Sequence, residues 1–268
     1  MTDFWEIDEI GGCDFAVVGD PISHSRSPKM HSAAYQSCGL PFSYRAVRAE
    51  AGRLQEALDR LLDHGCRGVN VTLPLKFEAV EWAEHLEDWE GCLPLAGANT
   101  LNLITRAAIS TDESGFLASI GSPAPGRALI LGAGGSAQAL ALRLKNEGWE
   151  VAVWNRTASK WQDFADEFEV LDLADPSGAD LIVNATSASL SESELPVLWD
   201  RAGSHALAYD LAYGDEPTIF LQRAIQCGLR AQDGRRMLME QGALAFEWWL
   251  GIPAPREDML TAISWACA

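Results

Sequence analysis

The sequence predicts an α/β protein made of two open sheets flanked by helices. Three observations carry this. Short runs rich in Val, Ile and Leu alternate with helical patterns along the 268 residues, the rhythm of parallel strands joined by crossover helices. One run, Leu129-Ile130-Leu131, passes straight into Gly132-Ala133-Gly134-Gly135-Ser136-Ala137, which reads as a strand, a glycine turn and a helix start. The linker at residues 122–126 (SPAPG) separates that run from what precedes it. The length suits about two domains.

Taken in order, residues 14–19 (DFAVVG) form a short buried-strand pattern. Ser27 before Pro28 predicts a helix start, an N-cap with Pro in the first helical position. An alternating stretch follows at 42–47. Leu54, Ala57, Leu58, Leu61 and Leu62 lie at helical spacing across 54–64. Residues 68–72 predict a strand, 77–86 a helix and 98–104 another strand. After the linker come a strand at 128–131, the glycine turn and a helix to residue 147. The cycle repeats with a strand at 149–154, a helix at 158–168, strands at 181–185 and 206–211, and a helix at 217–227. From Arg235 the pattern is helical twice over, without a strand. No internal repeat or low-complexity segment is present.

The formal charge is −18, from 38 acidic and 20 basic residues. That argues against nucleic acid, which needs a basic surface, and against an anionic membrane surface. It leaves small anions open, because a local cluster of cations and backbone N–H groups can hold them. The first residues (MTDFWEIDEIGG) are acidic and lack the apolar core of a signal peptide, and no apolar run approaches the roughly 18 residues of a membrane span. Cys13, Cys38, Cys66, Cys92, Cys227 and Cys267 are scattered, without metal-ligand spacing. The expectation is a cytoplasmic protein with reduced thiols, no metal, no nucleic acid and no membrane contact, as a monomer or homodimer.

In the glycine segment, Gly132 permits the tight turn, Gly134 lets backbone approach a pyrophosphate, and Ala137 lets helix and strand pack closely. The helix start adds free N–H groups. The next strand ends at Asn155-Arg156-Thr157, with Lys160 one turn on. An NAD site places Asp or Glu there for the ribose hydroxyls; Asn, Arg, Thr and Lys suit a 2′-phosphate instead. A solvated turn with Thr157 as a helix cap is the plain alternative.

The first half carries polar residues where strands end: residues 19–28 (GDPISHSRSP), 70–76 (NVTLPLK), Asn99-Thr100 and Thr111-Asp112. Ligands of open α/β sheets bind at such ends, and hydroxyls, amides, one Lys and one Asp suit a polyhydroxylated small acid. Taken singly, each has a bland explanation. Lys76 fits a surface lysine at a helix start, Asp112 a helix cap, and Ser25 and Ser27 turn formers. His24 and His31 are expected to be hydrogen-bonding structural residues, Trp248 and Trp249 to pack on an apolar helix, and Glu78 to Glu90 to form a solvated helix face with one carboxylate near a cofactor.

Together these residues give the chain its resemblance to shikimate dehydrogenases over nearly its full length. The motifs are G-D-P-I-x-H-S-x-S-P from Gly19, N-V-T-x-P-x-K ending at Lys76, the glycine turn, N-R-T from Asn155, N-A-T-S from Asn184, Y-D-x-x-Y ending at Tyr213, and a late Gln-x-Ala at Gln241. The resemblance implies two open α/β domains. The N-terminal substrate domain is completed by C-terminal helices (1–107 with 235–268), and a Rossmann NADP-binding domain (108–234) is inserted. It implies reversible NADPH-dependent reduction of 3-dehydroshikimate to shikimate, in the route to aromatic amino acids. Ser25 and Ser27 would bind the substrate carboxylate. Thr72, Asn99, Tyr213 and Gln241 would bind the carboxylate and ring hydroxyls. Lys76 and Asp112 would be the catalytic pair, with Asp112 also accepting from a substrate hydroxyl. Gly132, Ala133, Gly134, Gly135 and Ser136 would hold the pyrophosphate, Asn155, Arg156, Thr157 and Lys160 the adenosine phosphate, and Leu211 and Gly234 would sit near the nicotinamide. The alternatives are a quinate/shikimate dehydrogenase using NAD and a non-catalytic NADPH-binding regulator.

The chain departs from the family pattern where G-A-V-N-T becomes Gly97-Ala98-Asn99-Thr100, N-T-D-G becomes Ser110-Thr111-Asp112-Glu113, N-A-T-S-x-G-M becomes N-A-T-S-A-S-L, and G-x-G-M becomes Gly234-Arg235-Arg236-Met237. For Lys76 two opposed effects are expected. Desolvation lowers a lysine pKa, while the Asp112 carboxylate raises it and holds the ammonium.

Overall fold

The computed structural model describes residues 4–89, 97–164, 166–191 and 193–264. Cys92, Cys267 and Glu90 lie outside the described residues. The chain forms two compact units, Met1–Ser119 with Met237–Ala268, and Ile120–Arg236. In order, the first unit contributes β1 (Trp5–Glu6), β2 (Phe15–Gly19), α1 (Ser27–Ser37), β3 (Tyr44–Arg48), α2 (Leu54–Asp63), β4 (Gly68–Val71), α3 (Lys76–Trp82), β5 (His85–Leu86), β6 (Thr100–Asn102), β7 (Ala107–Ile109) and α4 (Asp112–Ser119). The second contributes β8 (Arg127–Leu131), α5 (Gly135–Asn146), β9 (Glu150–Trp154), β10 (Glu169–Val170), β11 (Leu181–Asn184), β12 (Leu207–Asp210), α6 (Ile219–Gln226) and β13 (Arg230–Gln232). Helices α7 (Arg235–Leu250) and α8 (Arg256–Ile263) follow.

The first sheet runs β1-β3-β2-β4-β6-β7-β5. It is mixed, not wholly parallel, because β6 runs antiparallel to both β4 and β7. The period-2 alternation of a strand puts its two side-chain sets on opposite faces. In β2, Ala16 and Val18 join the cluster of Val47, Leu54, Leu58, Leu61, Val69 and Leu75. Phe15 and Val17 join Met30, Tyr35 and Tyr44 with Met239, Phe246 and Met259 of α7 and α8. Both faces are therefore buried, and the C-terminal helices supply core on one of them.

Boundaries moved where local chemistry was silent. The expected domain limits at 107/108 and 234/235 become 119/120 and 236/237, because β7 is paired to β6 in the first sheet. The helix expected over 77–86 stops at Trp82, and His85–Leu86 instead pairs with β7. Helix α1 is capped by Arg26, with Ser27 already inside it. Where a helix was expected over 158–168, Ala158–Phe164 forms a 3-10 segment, and a short edge strand follows at Glu169–Val170.

The second sheet is wholly parallel in the order β10-β9-β8-β11-β12-β13. Numbered from its own first strand this is 3-2-1-4-5-6, the doubly wound dinucleotide-binding order. Its order reverses between β8 and β11. Leu129, Leu131, Ile182 and Ala208 pack under α6 through Phe220, Leu221 and Ala224, and α5 buries Ala137, Leu140, Ala141 and Leu144.

Candidate active site

In the first unit the strand order reverses between β2 and β4, and polar residues gather beyond their C-terminal ends. Thr72 N–H donates to the Val18 carbonyl at 2.9 Å, and Asp20 N–H to the Leu73 carbonyl at 2.9 Å. Gly19 is required here, since a Cβ would overlap the Thr72 methyl and approach the Leu73 carbonyl to 2.8 Å. The loop of Ser25 and Ser27 hangs from this tip. Ser27 is buried, its N–H donates to Ser25 Oγ at 3.4 Å, and Arg26 donates to the Ile263 carbonyl of α8 at 2.7 Å.

Lys76 opens α3, and its Nζ lies 2.5 Å from Asp112 Oδ2. Asp112 sits in the first turn of α4, where free N–H groups favour a carboxylate. Its other oxygen accepts from Asn99 Nδ2 at 2.9 Å. The same amide nitrogen donates to Thr111 Oγ1 at 3.0 Å and to Gln241 Oε1 at 3.4 Å. Asn99 Oδ1 accepts from Thr111 N–H at 2.9 Å and from the Thr100 hydroxyl at 3.0 Å. The structure thus brings Lys76, Asn99, Asp112 and Gln241 together. The shortened Gly97-Ala98 segment stays on Lys76: Ala98 N–H donates to the Lys76 carbonyl at 3.0 Å, and Gly97 adopts φ +143° with its Cβ position 3.1 Å from Lys76 Cβ. Gly115 of α4 admits Gln241, whose backbone N would lie 2.7 Å from a Cβ there.

The Lys76 ammonium is held above the ordinary lysine value. Burial pushes it down, but the Asp112 charge and hydrogen bond, with a smaller contribution from Glu113, outweigh burial. Glu113, buried, accepts from Ser110 Oγ at 2.6 Å, so two of the residues that depart from the family pattern are each other's partners.

Sequence reasoning gave no role to the layer behind this site. Tyr44 OH donates to Asn70 Oδ1 at 2.7 Å, and Asn70 Nδ2 donates to Thr100 Oγ1 at 3.0 Å. That chain of buried polar groups reaches Asn99. Only the polar residues at the ends of β4 and β6 hinted at it. His31 corrects its expectation: it is fully buried, neither ring nitrogen has a hydrogen-bond partner among the described residues, and it stacks on Tyr44 with centroids 4.4 Å apart. Burial pushes its pKa down to about 3. Trp249 packs as expected, stacked on Phe15 and donating to the Leu101 carbonyl. Glu78 is half-buried and anchored rather than free, accepting from Gly52 and Leu54 N–H at the start of α2.

In the second unit the glycine turn lies at the β8/β11 reversal. Gly132 has φ +119°, and a Cβ would lie 2.9 Å from the Ala185 carbonyl oxygen, so no other residue fits. Gly134 caps α5, and Gly134, Gly135 and Ser136 are exposed. A bare backbone turn opening a 12-residue helix suits a pyrophosphate. Arg156, Thr157 and Lys160 are exposed, and neither cation has an ion pair among the described residues. In a chain of charge −18, two free cations beside a glycine turn fit an added phosphate. Asn155 Nδ2 donates to the Thr157 carbonyl at 2.9 Å, fixing that loop. Gly234 packs on Leu211, where a Cβ would overlap the Leu211 carbonyl. Tyr213 belongs to this unit, in the turn after β12. The N-A-T-S and Y-D motifs meet in the interior. Asp210 Oδ2 accepts from Ser189 and Thr218 hydroxyls at 2.6 Å and from Asn184 Nδ2 at 3.1 Å. Burial nevertheless raises its pKa, the hydrogen bonds offsetting only part.

Three family models match the chain. That of the shikimate dehydrogenase substrate-binding domain covers residues 17–90, that of shikimate/quinate 5-dehydrogenase residues 118–196, and that of the shikimate 5′-dehydrogenase C-terminal domain residues 234–263. An NADP(+)-dependent shikimate dehydrogenase of Thermus thermophilus is 40% identical over 252 residues, covering 89% of this chain and 92% of that protein. The chain belongs to the shikimate dehydrogenase family. Another member, from Methanothrix thermoacetophila, is 36% identical over 93% of this chain and 96% of its own. The crystal structure of a Thermus thermophilus shikimate dehydrogenase in complex with NADP(H) and shikimate superposes with a TM-score of 0.84 at 36% identity, covering 92% of this chain and 97% of that one. Membership makes the chain an NADP-dependent oxidoreductase acting on a CH–OH group. Among the described residues no helix is long and apolar enough to cross a membrane, and no His, Cys, Asp and Glu cluster could hold a metal ion.

Proposed function

We propose that Lys76 and Asp112 carry the proton chemistry of reversible 3-dehydroshikimate reduction, with Ser25, Ser27, Thr72, Asn99, Tyr213 and Gln241 holding the substrate. The observation that carries this is the 2.5 Å Lys76–Asp112 pair at the first unit's strand reversal. Bound NADPH supplies the hydride for the C=O carbon. The carbonyl oxygen then gains negative charge, and a positioned ammonium both stabilises it and delivers the proton. Lys76 is that group, its charge maintained by Asp112. In shikimate oxidation the neutral amine takes the hydroxyl proton. Asp112 keeps Lys76 aimed and accepts from a ring hydroxyl, while Asn99 and Gln241 fix the Asp112 carboxylate and the ring edge. The Ser25 and Ser27 hydroxyls suit the substrate carboxylate. For the cofactor, the backbone of Gly132, Ala133, Gly134, Gly135 and Ser136 takes the pyrophosphate, and Asn155, Arg156, Thr157 and Lys160 take the 2′-phosphate. Leu211 and Gly234 offer a tight, apolar surface for the nicotinamide. We place the enzyme in the cytoplasm, a reading supported by the free thiols of Cys13, Cys38, Cys66 and Cys227.

Lys76→Ala tests the assignment. Turnover should fall about 10²- to 10⁴-fold, while shikimate binding measured by calorimetry changes by only about threefold, since binding and proton transfer are separable. Near-normal turnover in that variant would sink the role of Lys76.

A further inference from the structure

Trp161 is the bulkiest of the fully buried side chains. It lies in the 3-10 segment Ala158–Phe164, next to the exposed Lys160 and shortly after the loop that exposes Arg156. Its indole Nε1 donates to the Gly132 carbonyl at 3.0 Å, and its ring packs edge-on against Phe168, centroids 5.6 Å apart at 77°. The Gly132 N–H donates to the Trp154 carbonyl at 2.8 Å. Both polar groups of this glycine are therefore tied to β9 and the segment that follows it. A trans peptide is planar, so a carbonyl and the following N–H point in opposite directions. Fixing the Gly132 carbonyl with the indole fixes the direction of the Ala133 N–H, one of the donors of the glycine turn. Phenylalanine could fill the same space but would leave the Gly132 carbonyl without this donor.

We propose that Trp161 is a positioning residue for the dinucleotide, locking the glycine turn that takes the pyrophosphate to the loop whose cations take the 2′-phosphate. The two anion sites then keep a fixed spacing, and each is ordered before the cofactor arrives. This rests on the cofactor reading above and adds to it a residue that acts through the Gly132 carbonyl.

The test is NADP⁺ titration of the full chain by calorimetry, for wild type, Trp161→Phe, Arg156→Ala and the double variant. Trp161→Phe should bind NADP⁺ about tenfold more weakly, the worth of one buried hydrogen bond. Its KM for NADPH should rise in step while kcat falls less than about twofold. The double variant should lose less than the product of the single losses, because a loop freed from the turn no longer presents Arg156 at its working distance. Unchanged NADP⁺ affinity in Trp161→Phe, or strictly independent losses, overturns the proposal and leaves the cofactor reading standing. Wild type binding NAD⁺ as tightly as NADP⁺ overturns both. If Trp161→Phe does not fold, Phe168→Leu loosens the same indole, and the expected loss is about threefold; no loss there overturns the proposal equally.

Discussion

In the reaction we propose, Lys76 works as an acid in one direction and as a base in the other. The sign of its shift decides how its rates depend on pH. Asp112 and Glu113 hold the ammonium above the ordinary lysine value, so at neutral pH the group is charged and ready to donate. Oxidation needs the neutral amine, and its rate should climb with pH through a pKa above that ordinary value. In Asp112→Asn the carboxylate no longer opposes burial, and the rising limb of the kcat/KM profile for shikimate oxidation should move down by about one unit or more. A limb that stays put would remove Asp112 from the charge balance. The pairing of Lys76 with Asp112 was legible in the sequence because the motifs carry both residues. Their neighbours were not. Nothing in the order of residues says that Thr111 and Gln241 converge on Asn99, or that His31 is buried without a hydrogen-bond partner among the described residues, because burial is a property of the assembled sheets.

At the scale of elements, both candidate sites are built by glycines and buried polar pins at strand ends. Gly132→Ala would set a Cβ 2.9 Å from the Ala185 carbonyl and force a residue with φ +119° into strain. NADP⁺ affinity should drop by about tenfold or more, with shikimate binding to the first unit little changed; equal NADP⁺ affinity would contradict the tight-turn account. Asp210→Ala tests the pin. It would strip acceptors from Ser189, Thr218, Asn184 and Ala212 N–H, a cost of about 3 kcal/mol in stability, read as a lower denaturation midpoint. The long, periodic elements such as α2 and β8 could be read from their apolar spacing. Edge strands of two or three residues, β1, β5, β10 and β13, could not, because so short a run has no period. Residues 158–164 carry helical spacing yet fold as 3-10, and Trp161 anchored on Gly132 lies within that segment.

At the scale of the molecule, each unit has its own core and its own strand reversal, and, Tyr213 apart, the residues we propose for substrate lie in the first unit and those for cofactor in the second. Amide hydrogen exchange should show NADP⁺ protecting residues 132–136 and 155–160 of the second unit, and shikimate protecting 72–76, 99 and 112 of the first. If Tyr213 contacts the substrate, the turn after β12 should gain protection with shikimate; a turn indifferent to shikimate would remove Tyr213 from the substrate set. The formal charge of −18 sets a repulsive long-range field around two anionic ligands, and in the binding we propose it is offset by local donors such as Arg156, Lys160, Ser25 and the glycine turn. The most direct test of the whole account is therefore the steady-state oxidation of shikimate by the intact chain with NADP⁺ and with NAD⁺, followed by the absorbance of the reduced nicotinamide. We expect turnover with NADP⁺ and a kcat/KM advantage over NAD⁺ of about 100-fold, the worth of two charge-assisted hydrogen bonds to one phosphate. No reduction of NADP⁺ by shikimate, or a preference for NAD⁺, would contradict it.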